Sequence, residues 1–244
     1  MKKALSLLLA LLLLAALSAC GQKDPAGITD DPGQEGGGEA LAAYQAALQD
    51  FAYQHRLPDG TEFEIPTGFG SVENNRFAVC DMNGDGREEL LIHFTTAPTA
   101  GMAEWVFSYA GGGLTEELRL TPGAAYYDNG AVIAPWSHNQ TCGPADFWPY
   151  ALLMRNAAGG YDTVAQVSAW DKTVYALGDF GTPFPEEKDD GSGVVYLVTE
   201  AGQEQILSGE EYAAWYGEKM GDARAYDIPW QDMTESNIRG LLAP

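Results

Sequence analysis

The sequence predicts an α+β fold: a single antiparallel, β-rich domain with an N-terminal helix and short C-terminal helices. Three observations carry that expectation. The 244 residues include 29 glycines and 13 prolines, enough for many turns. Between those turns lie short apolar runs of strand length. Helical periodicity is confined to the two ends of the globular part. With 45% hydrophobic and 11% aromatic residues the chain can bury a sizeable core, so wholesale disorder is excluded. No period of 20–50 residues repeats, which argues against a full propeller or solenoid.

The elements follow in order. Over 39–56, Leu41, Tyr44, Leu48 and Phe51 recur at helical spacing on one face, and Pro58-Asp59-Gly60 ends the segment. Strand-like runs occupy 76–80, 90–94, 104–109 and 114–120. Runs 125–127 and 131–133 flank Asp128-Asn129-Gly130, a hairpin signal because Asn-Gly tolerates positive φ. Runs 152–156 and 161–167 form a second hairpin across Gly159-Gly160, and 194–199 is a further strand. Ser208 before Glu210-Glu211 starts a helix with acids in its first turn, and its apolar face is Tyr212, Trp215 and Tyr216. Thr234 with Glu235 starts a last short helix.

Charge excludes whole classes of partner. Lys and Arg number 13 against 35 Asp and Glu, a formal charge of −22. Such a surface repels phosphate backbones, so no nucleic acid is expected, and a polybasic membrane patch is equally disfavoured.

The N-terminus reads as an address. Lys2 and Lys3 precede an apolar run over 4–17, too short to span a bilayer comfortably, and a polar, Gly-rich stretch follows. Leu17-Ser18-Ala19-Cys20 resembles the lipobox of bacterial lipoproteins. The resemblance implies a signal peptide over 1–19, cleavage before Cys20 and diacylglycerol on its sulfur. It places the domain outside the cytoplasm, anchored to the bacterial cell membrane by lipid on Cys20. Residues 20–38, with Asp30-Asp31 as solvated charges, then form the lipidated Cys and a flexible tether, and 39–244 the domain.

One motif carries chemistry. Residues 81–89 read Asp-Met-Asn-Gly-Asp-Gly-Arg-Glu-Glu. Asp81, Asn83 and Asp85 place side-chain oxygens at alternate positions, Gly86 permits a sharp turn, Arg87 offers its carbonyl, and Glu89 contributes directly or through water. A hard, oxygen-seeking cation needs that spacing, so structural calcium is expected. The alternative is an Asx-rich turn whose oxygens hold its own backbone. Position 12 is Ile92, not the bidentate Glu of an EF-hand, and both flanks are β-like. This strand–loop–strand motif resembles the calcium loops of FG-GAP and integrin-type repeats. It also resembles single-copy versions in exported lipoproteins of gut Firmicutes. A second acidic stretch, 186–191, reads as a solvated turn because Lys188 would oppose a cation.

Weaker constellations remain. Trp136, His138, Asn139, Trp148 and Trp170 combine flat rings with polar side chains, as a glycan-binding face does, although Trp and Tyr also fill sheet cores. Enzyme signals are thin. There is no G-x-S-x-G and no H-E-x-x-H, and His93 reads as a core histidine. Paired-carboxylate hydrolysis is the third reading. Cys80 and Cys142 are close enough to pair only if the fold brings them together. The expected function is therefore a binding or surface-scaffold lipoprotein that meets a glycan or a surface protein.

Overall fold

The computed structural model describes residues 37–136, 147–173 and 183–242. Helix α1 (Gly37–Gln49) continues through one π turn (Asp50–Gln54), and His55 ends it in the left-handed region at φ 50. Four strands follow: β1 (Arg76–Cys80), β2 (Glu89–Phe94), β3 (Ala103–Ala110) and β4 (Gly113–Leu120). Next come β5 (Ala125–Tyr126), β6 (Ala131–Pro135), β7 (Tyr150–Arg155), β8 (Tyr161–Asp171), β9 (Val194–Glu200) and β10 (Gln203–Leu207). Helix α2 (Gly209–Met220), the two-residue β11 (Gln231–Asp232) and helix α3 (Glu235–Gly240) close the chain. The α+β architecture is the one the sequence predicts.

All strand pairs are antiparallel and form two sheets, one ordered β11-β1-β2-β3-β4 and the other β10-β9-β8-β7-β6-β5. Strands β10 and β11 go beyond the sequence reading. Both are edge strands; β11 is two exposed polar residues, and β10 starts with three exposed polar residues before half-buried Ile206 and Leu207, so neither shows an apolar alternation. Helix α2 begins as expected: the Ser208 hydroxyl accepts from the Glu211 N–H while the Glu211 carboxylate accepts from the Ser208 N–H. Thr234 caps α3 by accepting from the Asn237 N–H. The acidic stretch near 186 includes a short 3-10 turn, Glu186–Lys188, and its charges are paired, Asp189 with Lys172 and Lys188 with Glu211 of α2.

The layers are helix, sheet, sheet, helix. Phe77, Leu90, Ile92, Phe94, Trp105 and Phe107 face α1, where Tyr44, Leu48 and Phe51 are wholly buried. From the opposite face of the same sheet, Ala78, Leu91, Val106 and Leu118 meet Tyr126, Val132, Ala134 and Leu153 of the second sheet. That sheet's far side packs Tyr150, Leu152, Val167 and Val198 against Met220, Tyr212 and Trp215 of α2. Each buried aliphatic or aromatic side chain contributes about 1.5–3 kcal/mol relative to exposure. The stacked sheets differ from the radial blades of a propeller, in line with the missing repeat.

One polar link crosses the seam between the sheets. Glu104 on β3 is 1% exposed, and its Oε1 accepts from the Tyr126 hydroxyl of β5 at 2.5 Å. A second buried polar residue, Asn75, pins the edge of the first sheet. Its Oδ1 accepts from the N–H groups of Thr95 and Thr96, its Nδ2 donates to the Val72 carbonyl, and its own carbonyl accepts from the Met233 N–H. Replacing it leaves buried donors without acceptors. Asn75→Ala is therefore expected to cost about 2–4 kcal/mol, read as a lower urea midpoint with an unchanged m-value.

Candidate functional site

The 81–88 loop joins β1 to β2, whose register pairs Cys80 with Glu89, so the strand–loop–strand context holds. Gly84 and Gly86 sit at φ 74 and 86, where a side chain would be strained. That freedom lets the chain curl around its own carboxylates. Asp81 accepts three backbone N–H groups: Gly84 and Asp85 on Oδ1 at 2.7 and 3.1 Å, and Gly86 on Oδ2 at 2.9 Å. Asn83 Oδ1 accepts from the Asp85 N–H at 3.0 Å, and its Nδ2 donates to Glu89 Oε1 at 3.0 Å. Glu89 Oε2 accepts from the Met82 N–H at 3.1 Å. These are the bonds of an Asx-type turn.

The loop is tied down from both sides. The Tyr44 hydroxyl of α1 donates to the Glu88 carbonyl at 2.6 Å. From the second sheet, the Arg155 guanidinium reaches Asp85 Oδ2 at 2.6 Å, and Arg87 meets the same oxygen at 3.0 Å. Burial alone would raise the Asp85 carboxyl, but hydrogen bonds from Arg87 and Arg155 outweigh it and hold the group below its usual range. Arg87 thus spends its side chain on Asp85. Neither Arg155, which lies 70 residues from Asp85, nor Glu117 was legible in the sequence. Glu117 is the extra residue where the β3–β4 register shifts beside Val106 and Phe107. Its Oε2 is buried with no hydrogen-bond partner among the described residues.

Glu89 is 2% exposed. Burial pushes its carboxyl up to about 8; the Met82 N–H opposes this, and the charges of Asp85, Glu117 and Asp81 reinforce it. Among the described residues, no three His, Cys, Asp or Glu side chains are grouped as they would be around a metal ion. The donor chemistry nonetheless fits a hard cation: three carboxylates and a carboxamide, with each carboxylate offering about four lone-pair directions.

The aromatic constellation separates. Trp136 and Trp148 are 43% and 40% exposed, and the backbone N–H of Trp136 donates to the Pro149 carbonyl at the base of the β6–β7 connection. Trp170 is buried instead, edge-on to Phe184 at 5.5 Å, because its neighbour across the ladder is the buried Val195. It therefore offers no exposed ring for stacking, a correction to the three-tryptophan reading. His138, Asn139, Cys142 and Cys20 lie outside the described residues. Cys80 is a free thiol packed in the seam between the sheets, and burial, with the charges of Glu89, Glu88 and Asp81, pushes it up to about 11. No helix among the described residues is long and apolar enough to cross a membrane.

The Glu89 shift has a stability consequence of fixed sign. Its folded value lies above the 4.5 of an unperturbed Glu, so the folded state binds the extra proton. In calcium-free buffer, stability should fall as pH rises from about 4.5 to 8, by at most about 1.4 kcal/mol per pH unit. Glu89→Gln should flatten that slope in urea titrations repeated at several pH values. An unchanged slope would show that another group carries it.

No protein-family model matches the chain, and neither the curated proteins nor the solved structures contain a match to it.

Proposed function

We propose that this chain is a membrane-anchored extracytoplasmic lipoprotein whose domain serves as a binding or surface-scaffold module, with calcium bracing the 81–89 loop. The observation that carries the reading is Leu17-Ser18-Ala19-Cys20 at the end of a short apolar run. Two or more acyl chains hold a protein on a bilayer where one does not. The polar stretch after Cys20 would act as a spacer; a flexible coil of that length spans roughly 20–25 Å. In cells fed radioactive fatty acid, the wild type should carry label in the membrane fraction. Cys20→Ala should lose the label. A soluble, unlabelled wild type would overturn the anchor.

Calcium would be held by the side chains of Asp81, Asn83, Asp85 and Glu89 and the carbonyl of Arg87. It would brace the hairpin and do no chemistry, and it would compete with Arg155 for Asp85. Extracellular modules bind calcium at ~10⁻⁴ to 10⁻³ M. At tenfold excess over that constant the native state gains about 1.4 kcal/mol, a rise of a few degrees in melting temperature. Chelator should reverse it, magnesium should do less, and Asp85→Ala should abolish it. No calcium binding by titration calorimetry up to millimolar ion would leave the self-bonded turn as the whole account.

A second reading, carbohydrate binding, is favoured by the exposure of Trp136 and Trp148 at either end of one connection. A glycan array probed with wild type and Trp136→Ala separates it from the scaffold. Binding lost in the variant supports sugar recognition, and an array without signal removes it.

A further inference from the structure

A cavity of about 350 Å³ opens beside β2, lined by His93, Thr95, Thr99, Met102, Pro122 and Gly123. Its walls are methyl, thioether and pyrrolidine groups, with two hydroxyls and one imidazole. That size is at the lower end for small-molecule sites and suits a monocyclic body.

The imidazole is fixed by a buried network. His93 lies directly across from Glu104 in the β2–β3 register, and its Nδ1 is 2.8 Å from Glu104 Oε2. The same oxygen accepts from the Gly123 N–H at 3.4 Å, and Oε1 is taken by the Tyr126 hydroxyl. Gly123 sits at φ 100, a conformation strained for any other residue, and so brings its N–H to the carboxylate. Trp230 packs against the imidazole with ring centres 5.2 Å apart. A carboxylate is an acceptor only, so Nδ1 carries the proton that faces it. In the neutral ring the lone pair then falls on Nε2. No protein group among the described residues takes that nitrogen, and it is not a buried orphan. Only one oxygen of Glu104 is used in its link to the second sheet, through Tyr126. The second carboxylate oxygen is spent orienting an imidazole at a cavity wall.

We propose that this cavity binds a small, largely apolar molecule bearing one O–H or N–H donor, with that donor on His93 Nε2. Glu104 is the positioning residue, and the apolar lining takes the body of the ligand. The site is independent of the anchor and of the 81–89 loop.

Phenol and toluene test it, since they share a body and differ by the donor. The chain has only three histidines, so long-range ¹H–¹⁵N spectra of the full chain resolve the His93 ring. Phenol should move the His93 Nε2 resonance saturably and leave His55 in place. Toluene should bind about fivefold to tenfold more weakly, the worth of one hydrogen bond. His93→Phe keeps a ring against Trp230 and should erase the preference for phenol, with an unchanged circular dichroism spectrum as the fold control. The phenol–toluene comparison needs no variant, so it decides the matter even if substitution at 93 costs the fold. No saturable shift at His93, or equal affinity for the two probes, would overturn the site.

Discussion

Burial of both faces of the first sheet is the constraint on which the other features depend. In most antiparallel sheets one face meets water and the strands alternate in polarity. Here α1 covers one side and the second sheet the other, so β2 is apolar along almost its whole length. A polar group on this sheet must therefore find a partner or reach an edge. Glu104, His93 and Glu89 each find a partner in a network that spans two elements, whereas the buried Glu117 Oε2 and Trp105 Nε1 have no hydrogen-bond partner among the described residues.

The loop at 81–88 is a direct product of that arrangement. Its ends are fixed by the β1–β2 register, and its crown projects to where α1 and the end of β7 can both reach it. Tyr44 and Arg155 make those contacts. Four carboxylates, Asp81, Asp85, Glu88 and Glu89, are gathered in nine residues and would repel one another; two guanidinium groups at Asp85 and backbone N–H donors at Asp81 answer that repulsion. A calcium ion offers the same compensation in one centre. In this structure the charge set is balanced by Arg87 and Arg155 at Asp85, by backbone N–H groups at Asp81 and by the raised carboxyl of Glu89; the proposed calcium would act on the same groups.

Around Glu104 the balance has a different outcome. Desolvating a carboxylate in a seam of alanine, leucine and valine side chains costs several kcal/mol. Tyr126, His93 and Gly123 return that cost through hydrogen bonds from two sheets and a turn. The network ties the layers together, and it also leaves an oriented imidazole at the rim, where the sheet gives way to the loops around Thr99 and Pro122.

The sequence by itself determined nearly every element. Leu41, Tyr44, Leu48 and Phe51 declare α1 by their spacing, Asn129-Gly130 declares a hairpin, and Ser208 with Glu211 declares the start of α2. These signals are local: each depends on residues within a few positions, where backbone geometry and capping act. The donor set of the 81–89 loop was legible for the same reason. The polar edge strands β10 and β11 were not, because pairing with a neighbour, not their own pattern, makes them strands. Tertiary structure alone decided the rest. It buried Trp170 while leaving Trp136 and Trp148 exposed, brought Arg155 across 70 residues to Asp85, and set Glu104 between His93 and Tyr126. Those outcomes follow from which faces two sheets turn toward each other, a choice made by the summed burial of the whole core and written in no single stretch of chain.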